Sequence, residues 1–321
     1  MPFFSAKVPV NFEGQERLDK YIASLPNGMN RSKLKSGVTE ILVNGKKVKI
    51  SQKVKANDQI DIQWEDNIPD DITPEDIPLE ILYEDENVTV VNKPQGMVTH
   101  PACGNWTGTL VNALLYHWGR EAVKAVKEGS DSEILQARRP GIVHRLDKET
   151  SGIIITAKNR DSEEYLQKQF KDKSLQKEYI CICCGKPKSR DGDIRTQIIR
   201  DPKNRHRFKA VIDTDEGKFA RTLYHCIATY GNYSLMRIRI KTGRTHQIRV
   251  HMKYLGCPIL GDSIYAHTDS NFKDASLMLH SVQLKIKLPG KAEYTTFRTP
   301  TPERFIEVEK KLKKKFPKVI L

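Results

Sequence analysis

The chain has 321 residues, 38% of them hydrophobic and 29% charged, with a formal net charge of +14. That length suits two domains better than one, and the composition is that of an ordinary globular protein. With no run near the roughly 18 apolar residues of a membrane span and no secretory pattern at the start, a cytoplasmic, non-membrane protein with reduced cysteines is expected.

The charge is unevenly placed. Residues 1–65 carry +4, residues 66–86 carry −9 and the rest carry +19. A basic front piece and a very basic body joined by an acidic strap fit two polyanion-binding domains. In chain order, RLDKYIASL (17–25) puts Leu18, Tyr21, Ile22 and Leu25 on one helical face. NRSKLKSGV (30–38) reads as a second helix, capped by Asn30 and exposing Arg31, Lys33 and Lys35. TEILVNGKKVKI (39–50) is strand, Asn-Gly turn and strand, with Lys46 just past the turn, and QIDIQW (59–64) is a further alternating strand. A basic helix beside a basic hairpin suits a sugar–phosphate backbone. The stretch resembles the small α/β RNA-binding module shared with a small-subunit ribosomal protein. That resemblance sets the module at 12–65 and implies RNA contacts by Arg31, Lys33, Lys35 and Lys46.

Residues 66–78 are rich in Asp, Pro and Ile without periodicity and read as an extended acidic linker, leaving 79–321 as the main domain. There EILYEDENVTVVNKP reads as two strands around a turn, TGTLVNALLYHWG (107–119) as an apolar helix and 119–140 as a polar excursion. The helix EEYLQKQFKDK (163–173) precedes strands at KEYICICCG, RTLYHCIATY and YSLMRIRIKTG, and ERFIEVEKKLKKKFPK reads as an amphipathic helix ending in lysines. Strands outnumber helices without a βαβ rhythm, so the fold class is α+β.

The chemistry centres on HRLDKETSG (144–152), where Asp147 stands between an arginine and a lysine just before the apolar run IIIT. A protein kinase loop would need the acid directly after His-Arg and an Asn five positions later, whereas Leu146 intervenes and the later position is Gly152. A glycosidase needs a second carboxylate facing the first, and TGRTHQIRVH (242–251) and KEYICICCG (177–185) offer none. Read as strand, TGRTHQIRVH would point His246 and His251 to opposite sides, which is poor for a metal. One acid with arginines, a tyrosine and a positive field remains, enough for an isomerisation at a sugar–base bond.

HRLDKETSG, KEY with Gly185, TGRTHQIRVHMKYLGCPILGD (242–262) and ENVTVVNKPQGMVTHP (86–101) together resemble the motifs of the RluA-type pseudouridine synthases. The resemblance covers about 79–300. It implies a catalytic domain built on a mixed, mainly antiparallel sheet with flanking helices, no cofactor, no metal, and conversion of uridine to pseudouridine in structured RNA. By the same resemblance Asp147 is the catalytic acid, which either forms a ribosyl adduct or removes the ribose 2′ proton. Arg249 is the cation that keeps it ionised under a water-excluding substrate, and Tyr179 stacks on the extruded uracil. Arg145 fills the gap left by the flipped base, or else clamps a phosphate at the surface.

RTQIIRDPKNRHRFK (195–209) holds six Arg or Lys against one acid and reads as an RNA-gripping hairpin, with Arg205 and Arg207 at its tip; Arg244, in the third motif, adds to the same surface. The expected partner is structured RNA, ribosomal RNA of the large subunit first, with transfer RNA as the alternative substrate. An RNA-binding assembly factor that has lost catalysis is the competing class. A monomer is expected from the lack of an exposed apolar stripe.

Overall fold

The computed structural model describes residues 3–25, 34, 38–64, 71–102, 104–124, 140–204 and 207–319. Arg31, Lys33, Lys35 and Arg205, with most of the expected second helix and of the polar excursion, lie outside the described residues. Backbone contacts divide the chain into two compact units, Met1–Asp70 and Asp71–Leu321.

In the first unit, β1 (Phe3–Lys7), α1 (Leu18–Ser24), β2 (Val38–Val43), β3 (Lys46–Lys47) and β4 (Gln59–Trp64) build an antiparallel sheet in the order β1-β4-β2-β3 against one helix. Leu18, Tyr21 and Ile22, spaced for one helical face, are buried with Ile41, Val43, Ile60 and Ile62. Asn44 and Gly45 take φ values of 52° and 74°, the left-handed pair a two-residue hairpin turn requires. Lys46 is exposed on β3. The edge strand β1 was not legible in the sequence, because FFSAK has no clean alternation and its place comes from pairing with β4.

The second unit begins at Asp71 and not at 79. Residues expected as the end of the linker belong to it: β5 (Asp71–Ile72) pairs with β8 (Val123–Lys124), and Ile72 is buried. The physical reason is the spacing of Ile72, Ile77 and Leu79, which dock on the apolar helix and escape a reading based on periodicity.

The large sheet comprises β6 (Ile81–Glu84), β7 (Val88–Lys93), β9 (Ser151–Ala157), β10 (Gln176–Cys184), β11 (Asp191–Arg200), β12 (Phe208–Val211), β13 (Lys218–Tyr230), β14 (Tyr233–Ile240), β15 (Leu279–Lys287), β16 (Tyr294–Arg298) and β17 (Lys318–Val319). The main path runs β12-β11-β13-β14-β10-β15-β9-β7-β6. Every pairing is antiparallel except β9 with β15. The helices are α2 (Leu110–His117), α3 (Arg160–Asp172), α4 (Gln247–Tyr254) and α5 (Glu303–Lys315). The class is α+β, as expected. No helix among the described residues is long and apolar enough to cross a membrane.

The apolar run IIIT does not alternate because β9 is covered on both faces. Ile154 packs with Leu110 and Leu114 of α2, while Ile153 and Ile155 pack with Leu166 of α3. Asn159 caps α3 by accepting from Ser162 N, and Thr109 caps α2 with a reciprocal bond to Asn112.

Gly152, at the head of β9, lets two strands approach closely. A Cβ there would sit 2.2 Å from the Ser281 carbonyl oxygen, and its φ of +114° suits only glycine. Gly152→Ala is therefore expected to destabilise the unit by about 1–3 kcal/mol or more, read as a lower urea midpoint. An unchanged midpoint would show that the strands part at little cost.

Candidate active site

The segment carrying Asp147 is neither helix nor strand, and it hangs from the loop after β7. Three carbonyls flanking Asp147 are held there: Thr99 Oγ1 donates to Leu146 O at 3.0 Å, Gly96 N to Lys148 O at 2.9 Å, and Gln95 Nε2 to Glu149 O at 2.9 Å. Beneath them the fully buried Lys93 ammonium donates to Met97 O (2.8 Å), Pro94 O (2.9 Å) and Lys148 O (3.3 Å). Burial pushes Lys93 down to about 7, against the pull of Asp147 and Glu149. The stretch ENVTVVNKPQGMVTHP thus shapes the aspartate loop from below, a role that spacing alone could not show.

TGRTHQIRVH is not strand from end to end. It turns after β14 and becomes α4, so the expectation for His246 and His251 rested on the wrong geometry. The Gln247 amide explains the turn: Oε1 accepts from Thr242 Oγ1 (2.7 Å) and Arg244 N (3.0 Å), and Nε2 donates to Thr222 Oγ1 (2.9 Å). These buried bonds override the β preference of Ile248 and Val250. His251 turns inward between Thr196 and Thr222, and burial lowers it to about 4. His246, at φ +54°, faces the cavity.

The helix places Arg249 with its side chain 6% exposed. Its Nε and Nη2 each donate to Asp262 at 2.8 Å, and Nη1 lies 3.6 Å from Asp147 Oδ2. Burial by itself would push the guanidinium down, but Asp262, with Asp147 behind it, holds it above the ordinary arginine value. Asp147, its side chain 21% exposed, keeps one face to the cavity. Tyr179 projects from β10 into the same cavity, where burial pushes its phenol up, opposed by a bond to Ser281. It stays protonated at neutral pH. His144 stacks on Phe170 with ring centroids 4.5 Å apart and accepts from Ile155 N; burial and Lys177 push it down to about 3, so it is neutral.

Asp147, Tyr179, Arg249, Arg145 and Arg244 all line one cavity of about 100 Å³. Gly243 and Arg244 also line two neighbouring clefts of about 700 and 570 Å³, one rimmed by Arg200 and Lys218 and the other by Lys171, Lys173 and Lys241. Arg207 lies apart from the cavity, near the β11–β12 turn, and Lys46 belongs to the first unit. Three participants escaped the sequence reading: Asp262, the last residue of the third motif, His246 inside it, and Lys93. Their signal was present as a charged or imidazole side chain within quoted motifs, but nothing in the spacing showed what each would touch. Among the described residues no three His, Cys, Asp or Glu side chains are grouped to hold a metal.

An acid paired with a guanidinium that is itself locked by a second acid, beside clefts rimmed with Arg and Lys, is an arrangement suited to carboxylate chemistry on a polyanion. The sequence pattern of RNA pseudouridylate synthase matches residues 87–254. The chain belongs to that family and is an RNA pseudouridine synthase of the RluA type. It is 43% identical to "Ribosomal large subunit pseudouridine synthase D" of Borreliella burgdorferi, over 92% of this chain and 89% of the relative. It is 35% identical to the protein of the same name from Pasteurella multocida, over 96% and 94%. Human RNA pseudouridylate synthase domain containing 4 has a similar fold, with a TM-score of 0.56 and 23% identity over 73% of this chain and 93% of that one.

Proposed function

We propose that this enzyme isomerises specific uridines in ribosomal RNA of the large subunit, with Asp147 as the reacting acid. The observation that carries the assignment is the convergence of Asp147, Arg249 and Tyr179 on one cavity, with Nη1 of Arg249 3.6 Å from the carboxylate. The reaction breaks the N1–C1′ bond and joins C5 to C1′; the C5 proton is lost and N1 gains one, so the net change is an isomerisation without a co-reactant. The exposed carboxylate oxygen attacks C1′ or takes the 2′ proton, and either step needs an anion beside a fixed cation. The Tyr179 ring meets the swung-out uracil, and Arg145, exposed at the cavity mouth, fills the vacated stack. Arg244 and the flanking cleft lysines take phosphates, with Arg207 adding to the hairpin. Arg31, Lys33, Lys35, Lys46 and Arg205 add RNA contacts of their own.

The substrate rests on the relatives named for the ribosomal large subunit. The front module, 12–65, is read as an RNA-binding domain on its sequence resemblance. The large exposed apolar side chains are scattered, which supports a monomer, and a ribosomal substrate supports a cytoplasmic site of action. The test is a pseudouridine map of total RNA from cells with and without the gene. Loss of one or a few large-subunit pseudouridines is expected; loss confined to transfer RNA would overturn the substrate.

A further inference from the structure

His246 stands between the RNA-facing hairpin and the acid, and its hydrogen bonds point in one direction. Phe208 N, at the start of β12, donates to Tyr265 Oη at 2.9 Å. Nδ1 of His246 lies 2.9 Å from the same hydroxyl. Tyr265 is 4% exposed, and among the described residues nothing else accepts the hydroxyl proton. A buried hydroxyl proton is matched in nearly every native structure. The proton therefore goes to Nδ1, which leaves the ring proton of a neutral imidazole on Nε2. Nε2 is the atom that faces Asp147, 3.9 Å from Oδ2. That distance is beyond a hydrogen bond, but contacts of catalytic groups are often long in unliganded sites and tighten in the substrate complex. Burial holds His246 below its ordinary value, ahead of the opposing pull of Asp147, so the ring is neutral. The Phe208 and Tyr265 rings meet the imidazole edge-on, at 5.7 and 5.6 Å, and fix its plane.

We propose that His246 is a positioning residue for Asp147: its Nδ1 is engaged by Tyr265 and its Nε2–H is aimed at the carboxylate, so the seating of the β11–β12 hairpin sets the orientation of the acid. Phe208 N, Tyr265 Oη and the imidazole are linked in series, so a seated β12 fixes the imidazole against one carboxylate oxygen while Arg249 holds the charge. This rests on Asp147 being the reacting acid.

The test uses the full-length protein with ¹⁵N-labelled histidine and a uridine-containing stem-loop RNA. In the free protein the His246 ring should show the proton on Nε2, and Tyr265→Phe should give a mixture of tautomers. His246→Ala should lower kcat about 10- to 100-fold with KM changed less than about threefold. His246→Gln, whose amide can donate toward Asp147, should regain most of the loss. A proton on Nδ1 in the wild type would overturn the proposal, as would an unchanged kcat in His246→Ala. The tautomer is read without any variant, so a failure of His246→Ala to fold leaves it decisive. An active Asp147→Asn enzyme would instead remove the acid assignment and leave the tautomer untouched.

Discussion

Replacing Asp147 with asparagine is expected to lower pseudouridine formation by about 10⁴-fold or more while RNA affinity stays within about threefold. The amide has nearly the shape of the carboxylate but can neither attack C1′ nor take a proton. The fold should survive, because Arg249 keeps both of its 2.8 Å bonds to Asp262 and is never left unpaired. Affinity should also survive, since the proposed phosphate contacts lie in the basic clefts and removing an acid reduces repulsion with phosphate. Release of label from C5-tritiated uridine in the RNA measures the reaction, and filter binding measures affinity. Persisting tritium release would remove Asp147 from the mechanism and with it the proposed chemistry. Chemistry lost together with binding would point to a misfolded variant, which the thermal midpoint would reveal.

Arg249→Met is expected to lose both activity and roughly 3–5 kcal/mol of stability, because it strands the fully buried Asp262 side chain. Asp262 would retain only the Ile264 and Tyr265 backbone donors, at 2.9 and 3.0 Å. Adding Asp262→Leu to Arg249→Met should return part of the stability but none of the activity, since an apolar pair satisfies the core while Asp147 still lacks its cation. Urea titration of these two variants and of Asp262→Leu alone reads this coupling, and strictly additive losses would show that the pair is not a unit. A pH signature accompanies it. Burial alone would raise the Asp262 carboxyl, but Arg249 and the two backbone N–H groups hold it below the ordinary carboxylate value. A depressed native value contributes stability that is complete above the unfolded value of about 4 and is lost as pH falls through the native one. Wild-type stability should therefore drop below about pH 4, and Arg249→Met should lose that part of the acid slope.

Local patterns were legible wherever one element decided them. The helical face of Leu18, Tyr21 and Ile22, the Asn44-Gly45 hairpin, the apolar β9 and the β11–β12 hairpin could be placed from residue spacing, because periodicity and turn chemistry act within a few residues. The motif residues Asp147, Tyr179 and Arg249 could be named from the resemblance, with Arg249 as the cation beside Asp147, but the clamp of Asp262 on Arg249 could not. The helix α4 was misread as strand, since its Ile248 and Val250 favour β structure and only the Gln247 amide, bonded to Thr222 on a distant strand, settles the turn. The linker was drawn too long because Ile72 and Ile77 find their apolar partners on α2, far along the chain.

By itself, then, the amino-acid order determined the class of fold and the family, and it named Asp147, Tyr179 and Arg249 as the candidate site residues. The tertiary structure decided which acid is free and which is spent: Asp262 locks Arg249 through two short bonds, leaving Asp147 at 3.6 Å with an oxygen open to the cavity. That division depends on Arg249 meeting both Asp262, 13 positions away, and Asp147, more than a hundred positions away, and the strength of each ion pair is set by distance and local dielectric, which no pattern of neighbours encodes.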